Sequence, residues 1–483
     1  MELHLLLEGR KDLAGQLFRQ LREAIRGGRL ADGVQLPPSR LLASQLGVSR
    51  KTVAEAYLRL ARDGYVSARV GAGSFVRATP QAAPRPVAAG ELAGAATLAR
   101  WASLERPLHH AAPAGQSRYE FIGGAVAHAR FPHEAWRRCL LRALRSPGAP
   151  GRYGEAEGLP ALRQAIARHA GFTRGVRCTA SDVVVTAGAQ QALDLIARVL
   201  VEPGCTVAME EPGYPPARLL FASQGATVVG VPVDEEGIVP ERIPEGVRLV
   251  YVTPAHQFPL GMAMSAPRRR ALLERARAIG AVVIEDDYDS AFRYGVQAAD
   301  SLQSMDRHGI VAYVGTFSKV LLPELRCGYL IAPPAILQAV AAAKHLSDWH
   351  VNTLTQGALA DFIDSGELGR HIRRVHAVYA ARRKRLLARL DGDLAPWLEA
   401  LPADCGLHVA ALFRRPVDLP ALLRLARRVE VGLYPLDGFY TGPARQGLLF
   451  GLGAIEVLDI DPALDRLAAI LGDSGEVAGG GQA

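Results

Sequence analysis

Ile284-Glu285-Asp286-Asp287-Tyr288 and, further on, Val311-Ala312-Tyr313-Val314-Gly315-Thr316-Phe317-Ser318-Lys319 are the stretches on which the reading of this chain turns. Each is an apolar run that ends in chemistry, acids in the first and a lysine in the second. Buried carboxylates without a partner are costly, so acids at the end of a buried strand need a cation. The lysine is notable because the chain has only five: Lys11, Lys51, Lys319, Lys344 and Lys384, against 56 Lys+Arg. Arginine supplies nearly all the positive charge, but it cannot act as an amine nucleophile or form a Schiff base; lysine can.

Around these stretches, from about residue 117, apolar strands alternate with amphipathic helices. The expected strands are Val183–Thr186, Thr206–Glu210, Thr227–Val233, Leu249–Thr253, Ala281–Glu285 and Val311–Gly315. Helices between most of them predict an α/β fold with a mostly parallel sheet. In such a sheet, ligands sit at the carboxyl ends of the strands. After Pro334 the chain becomes helix-rich, with a long basic stretch over 370–390. The body is expected over 116–473, with a small α+β subdomain from about 390. Residues 474–483 have the composition of a disordered tail.

With 483 residues the chain is too long for one ordinary domain. No apolar run reaches the roughly 18 residues of a membrane span. The start, Met1-Glu2-Leu3-His4, lacks the basic and small-residue marks of a signal peptide. Five scattered cysteines without a Cys-x-x-Cys fit unpaired thiols in a reducing cytoplasm. The thirteen histidines show no metal-ligand spacing, so no metal is expected. The formal charge is +8, and residues 1–78, with 13 Lys+Arg and 7 Asp+Glu, hold +6 of it. A basic terminal domain on a near-neutral body implies a polyanionic partner.

That terminal segment reads as three short helices and a hairpin. Leu17, Phe18, Leu21 and Ile25 recur at helical spacing in a helix over 13–28 that Gly27-Gly28 ends. A second helix starts near Leu36-Pro37-Pro38-Ser39-Arg40, with Ser39 or a neighbour as cap and Leu41, Leu42 and Leu46 toward the core. Gly47-Val48-Ser49 is a tight turn, and Ser49 caps a third helix. Arg50, Lys51 and Thr52 present short and basic side chains at its N-terminus, where a recognition helix meets base edges and phosphates. Val53, Ala56, Tyr57, Leu58 and Leu60 are assigned to the core. Gly64-Tyr65-Val66 through Val76 then reads as a hairpin with a Gly71-Ala72-Gly73 tip, a wing. Residues 79–115, rich in Ala, Pro and Gly, read as a linker with a short helix near 92–104.

The body's strand ends meet the demands of one cofactor. Pyridoxal phosphate (PLP) needs a lysine for an aldimine, an acid at the ring nitrogen, a phosphate cradle and an apolar or aromatic face. Lys319 supplies the amine, and Asp286 or Asp287 the acid. Tyr288 is placed to reach the ring hydroxyl. Val183-Val184-Val185-Thr186 leads through Ala187-Gly188-Ala189-Gln190 into a helix, an anion site built from backbone N–H groups. Thr316, Ser318 and Arg326 complete a phosphate cup, and Tyr214, in Glu211-Pro212-Gly213-Tyr214, can stack on the ring.

Two sets of motifs carry a resemblance. Leu36-Pro37-Pro38-Ser39-Arg40-x-Leu42-Ala43-x-x-Leu46-Gly47-Val48-Ser49-Arg50-x-Thr52-Val53-x-x-Ala56-Tyr57 resembles the winged-helix head of the GntR family. That likeness implies Ser39, Arg40, Ser49, Arg50, Thr52 and Gly73 at duplex DNA. Tyr153-Gly154-x-x-x-Gly158-x-x-x-Leu162-Arg163, Gly188-Ala189-Gln190-Gln191-Ala192-Leu193, Glu211-Pro212-Gly213-Tyr214, Thr253-Pro254-x-His256-Gln257-Phe258-Pro259-x-Gly261, Ile284–Asp289 and Thr316–Lys319 together resemble the MocR/GabR subfamily, GntR regulators fused to a fold-type I aminotransferase-like domain. The likeness covers about residues 11–470. It implies Lys319 as the aldimine lysine, Asp286 at the pyridine nitrogen, Tyr288 at the ring oxygen and Tyr214 stacking. Gly188, Ala189, Gln190, Thr316, Ser318 and Arg326 fall around the phosphate. His256 or Gln257 occupies the region where aminotransferases carry an asparagine near the ring oxygen.

There are departures. Arg445 is the nearest arginine to the place where aminotransferases hold a substrate carboxylate, and Gly124-Ala125-Val126 lacks an expected Pro-Asp. The resemblance implies a homodimeric transcription regulator that binds promoter DNA and senses PLP, an amino acid or an amine. The alternative is a working aminotransferase with a vestigial head.

Overall fold

The computed structural model describes residues 5, 7, 9, 11–69, 73–77, 95–104, 117–145, 153–295, 300–402 and 404–479. The chain divides into two units, Met1–Ser103 and Leu104–Ala483. Most of the expected linker, the Gly71-Ala72 wing tip and residues 480–483 lie outside the described residues.

In the first unit, helices Leu13–Arg26, Ser39–Leu46 and Arg50–Arg62 precede an antiparallel hairpin of Val66–Arg69 and Gly73–Val76. Leu17, Leu21, Ile25, Leu42, Val53, Ala56, Tyr57, Leu60, Val66 and Val76 form one buried core. Ser49 caps the third helix, accepting from the Thr52 amide at 3.1 Å. Two expectations are corrected. Leu41 and Leu58 are 53% and 70% exposed. Each lies one residue, about 100° of helix, from a buried neighbour, Leu42 or Tyr57, and so falls off the core-facing stripe. The second helix has Pro38 at its N-cap and no side-chain cap. A helix also forms at Ala95–Ala102, inside the expected linker.

The second unit is built on an eight-stranded sheet. Its order is Val183–Thr186, Gly328–Ile331, Val311–Thr316, Val282–Asp287, Val247–Val252, Thr206–Glu211, Thr227–Asp234 and Gly237–Ile238. Five consecutive strands run parallel, from Val311–Thr316 to Thr227–Asp234. Gly328–Ile331 is antiparallel to both its neighbours, and this strand went unforeseen because no α-helix separates it from Val311–Thr316, only a loop with one short 3-10 turn at Pro323–Leu325. Apolar residues pack on both faces of the sheet, as covered parallel sheets require. A second sheet, of Leu398–Ala400, His408–Phe413, Gly447–Gly451 and Tyr434–Pro435, lies in the stretch where a small subdomain is expected. The last helix runs Val457–Gly479, so residues 474–479 are helical where composition predicted disorder.

Candidate cofactor site

The strand Val282–Asp287 is longer at its carboxyl end than expected and takes in both acids. Successive strand residues face opposite sides, so Asp286 and Asp287 part company. Asp287 pairs with Arg174 Nε at 2.6 Å and accepts from the Tyr313 hydroxyl at 2.5 Å. Burial pushes its carboxyl up, but Arg174, Ser290 and Tyr313 outweigh that and hold it below the usual carboxylate range. It is a structural ion pair. Asp286 has a different environment. Its Oδ2 accepts from the Tyr251 hydroxyl at 2.7 Å, while its Oδ1 is buried with no hydrogen-bond partner among the described residues. Burial pushes this carboxyl up to about 7, against the Tyr251 hydrogen bond and with the help of Asp287 and Asp289. An orphaned buried carboxylate oxygen is suited to a protonated ring nitrogen.

Lys319 follows the adjacent strand, Val311–Thr316. Its Nζ donates to the Gly124 carbonyl at 2.8 Å. Burial lowers its proton affinity, and the charges of Asp289 and Asp286 only partly offset this. A desolvated amine of this kind is a better nucleophile at neutral pH.

At the end of Val183–Thr186, Gly188 has φ 83° and is the N-cap of the helix Ala189–Leu200, with no side-chain cap. The Ala189 and Gln190 amides therefore stand in the first turn, where helix N–H groups lack internal partners. A Cβ on Gly188 would stand 3.0 Å from Arg326 Nη1, so the guanidinium lies over this turn. Arg326 donates to the Ala187 carbonyl at 2.7 Å and has φ 46°. Thr316 Oγ1 accepts from the Ser318 amide at 3.2 Å. Helix amides plus a guanidinium make a phosphate cradle. Burial and Asp286 raise the proton affinity of the Tyr214 hydroxyl, and Arg326 lowers it. Lysine, orphaned acid, cradle and aromatic face together fit pyridoxal phosphate.

The ring-oxygen side differs from simple expectation. Gln257 Nε2 donates to the Pro212 and Phe258 carbonyls at 2.8 and 2.7 Å, and its Oε1 accepts from the Leu260 amide. Both its donors are spent on backbone. His256 is buried, with Nδ1 3.0 Å from Asp289 Oδ2. The Tyr288 hydroxyl lies 3.0 Å from both the His256 carbonyl and Nδ1. The side chain facing Tyr214 and Tyr288 is Phe258, with ring centroids 5.4 and 6.0 Å away. Phe258, Asp289, Tyr251 and the Gly124 carbonyl were not singled out from sequence. Asp289 stood inside a quoted motif, two residues past the strand end. Arg445 is exposed before Gly447–Gly451, and its charge acts on Tyr440.

No metal was expected from sequence. Among the described residues, His256, Asp289 and His408 bring possible ligand atoms within 4.8 Å of one another. His408 Nε2 is 3.0 Å from the Pro259 carbonyl, and His256 pairs with Asp289, so the group is a hydrogen-bonded cluster.

In the head, Arg40, Ser49, Arg50 and Lys51 are exposed, while Ser39 and Thr52 are partly so. The Ser49 and Thr52 hydroxyls are 2.8 Å apart. Gly73 opens the second wing strand at φ 110°.

The sequence profile "Aminotransferase class I and II" matches residues 126–415, and "Bacterial regulatory proteins, gntR family" matches residues 13–76. The probable rhizopine catabolism regulatory protein MocR of Rhizobium meliloti is 36% identical over 91% of this chain and 90% of its own length. The pyridoxine biosynthesis regulator PdxR of Corynebacterium glutamicum is 34% identical, over 91% of each chain. The regulator TauR of Rhodobacter capsulatus is 37% identical over 80% of this chain and 81% of its own. The solved kynurenine aminotransferase of Pyrococcus horikoshii superposes with TM-score 0.71 at 26% identity, covering 77% of this chain and 96% of its own. The chain therefore belongs to the MocR-type regulators of the GntR family, in which a winged helix-turn-helix is joined to an aminotransferase class I and II domain.

Proposed function

We propose that this protein is a transcription regulator that binds promoter DNA through its winged helix and takes pyridoxal phosphate at Lys319. PLP itself, an amino acid or an amine is the signal. The observation that carries the reading is Asp286 Oδ1, buried and unpartnered among the described residues, at a strand end next to the strand that leads to Lys319. When bound, pyridoxal phosphate supplies an aldehyde that condenses with primary amines. The chain's own residues do the rest. Asp286 would accept from the ring nitrogen, and the Gly188–Gln190 turn, Thr316, Ser318 and Arg326 would hold the phosphate. Tyr214, with Phe258 packed edge-on against it, would lie against the ring. Lys319, its charge disfavoured by burial, offers a free amine.

The exposed Arg40, Arg50 and Lys51 support phosphate and base-edge contact by the head. We place the protein in the cytoplasm, with its DNA; among the described residues no helix is long and apolar enough to cross a membrane. A homodimer is supported by large apolar side chains left exposed on the second unit, Leu144, Tyr153, Leu346 and Trp349 among them. The reading as a working aminotransferase is weaker, because Arg445 is exposed and offers no buried clamp for a substrate carboxylate.

The test is the visible absorption spectrum of the purified protein with PLP added, beside Lys319→Ala. A yellow band in the wild type that is lost or shifted in the variant is expected. A wild type that stays colourless with PLP would remove the cofactor reading.

A further inference from the structure

Beneath Tyr288 lies a two-layer polar network. Asp289 and His256 are 2% and 1% exposed. His256 Nδ1 lies 3.1 and 3.0 Å from the two Asp289 oxygens. Asp289 Oδ2 also accepts from the Leu407 amide at 3.0 Å. A buried carboxylate needs donors, so the Nδ1 proton belongs to the Asp289 contact. Tyr288, 3.0 Å from the same nitrogen, then has the His256 carbonyl as its acceptor. Among the described residues His256 Nε2 is left buried and without a partner. The packing is exacting: a Cβ on Gly406 would overlap both His256 Nδ1 and Asp289 Oδ2. Asp289 also acts on Lys319, where its charge is the largest of those favouring the protonated amine.

We propose that Asp289 is a positioning residue of the cofactor site, holding His256 and, through it, the Tyr288 hydroxyl. The inference rests on the PLP reading above. The residues argue for it in three ways. Gln257 has both donors on backbone, so the polar group left on that side is the Tyr288 hydroxyl, whose proton rests on the His256 carbonyl and must leave it to reach a ring oxygen. Among the described residues, Asp289 and Asp286 are the carboxylates whose charges act on Lys319. Asp286 faces the ring nitrogen, which leaves Asp289 as the adjustable charge.

The titratable groups facing Lys319 are Asp286 and Asp289, with His408 across from the strand His408–Phe413. Tyr288, Tyr294 and Cys405 surround Asp289, while Glu210, Tyr214 and Tyr251 surround Asp286.

The experiment titrates the visible absorption of PLP-loaded wild type, Asp289→Asn and Asp289→Glu against pH. Loss of a nearby negative charge disfavours the protonated nitrogen, so the midpoint should fall by about one unit or more in Asp289→Asn. Asp289→Glu, which keeps the charge, should return toward the wild type. A full visible band with an unmoved midpoint in Asp289→Asn overturns the proposal while leaving the PLP reading intact. A wild type with no band overturns both. If Asp289→Asn does not fold, ¹⁵N-histidine spectra of the wild type serve instead. One imidazole protonated on Nδ1 at pH 8, absent in His256→Gln and shifted by adding PLP, is expected. A His256 signal indifferent to PLP overturns the proposal.

Discussion

At the residue scale, neighbouring acids on one strand take opposite fates, and this was only half legible. The sequence showed that Glu285, Asp286 and Asp287 end an apolar run, but not where the strand stops or which acid lacks a cation. Asp287 is matched by Arg174, a residue 113 positions away, which no local pattern reveals. The two acids therefore predict different outcomes. Arg174→Ala leaves Asp287 buried and uncompensated and should cost about 3–5 kcal/mol in denaturant unfolding. Asp286→Asn should weaken PLP retention at least about tenfold, by the loss of a charge-assisted hydrogen bond, read by equilibrium dialysis.

Asp286→Asn should also stabilise the cofactor-free protein in a pH-dependent way. The folded carboxyl sits at about 7, well above its unfolded value of about 3.9. Its contribution is present below the unfolded value and is lost as pH rises to about 7. The advantage of Asn over Asp should grow by about 1.4 kcal/mol per unit from pH 5 to 7 and then level off. Urea unfolding of both proteins across that range checks it; a flat difference would show that Asp286 is not held protonated.

At the scale of elements, most of the sheet was legible because its strands are buried apolar runs with helices between them. The one missed central-sheet strand beside the site, Gly328–Ile331, runs against its neighbours, with no α-helix between it and Val311–Thr316. It closes the sheet between Val183–Thr186 and Val311–Thr316, and so sets the phosphate turn beside the lysine strand. Gly188→Ala tests that turn. With φ 83° and Arg326 at 3.0 Å from the added carbon, the substitution should cost about 1–3 kcal/mol and weaken phosphate binding more than ring binding. Dialysis with PLP and with unphosphorylated pyridoxal separates the two; an equal loss for both would place the phosphate elsewhere. In the head, the Ser49 cap was legible from its turn, whereas the exposure of Leu41 and Leu58 was not, since a leucine's identity does not say on which side of a short helix it falls.

At the scale of the molecule, the charge asymmetry and the two motif sets were visible from sequence, and family profiles match residues 13–76 and 126–415. How the head answers the body is not written in either unit alone, because coupling is a difference in affinity between two states of the whole. The measurement that tests the central claim most directly is the affinity of the full chain for duplex DNA, selected from a random pool, with and without PLP. It is read by fluorescence anisotropy in the wild type and in Lys319→Ala. A DNA affinity that changes severalfold on adding PLP in the wild type, and does not change in the variant, is predicted. A wild type that turns yellow with PLP yet binds the selected DNA equally well with and without it, and with added amino acids or amines, would contradict the account.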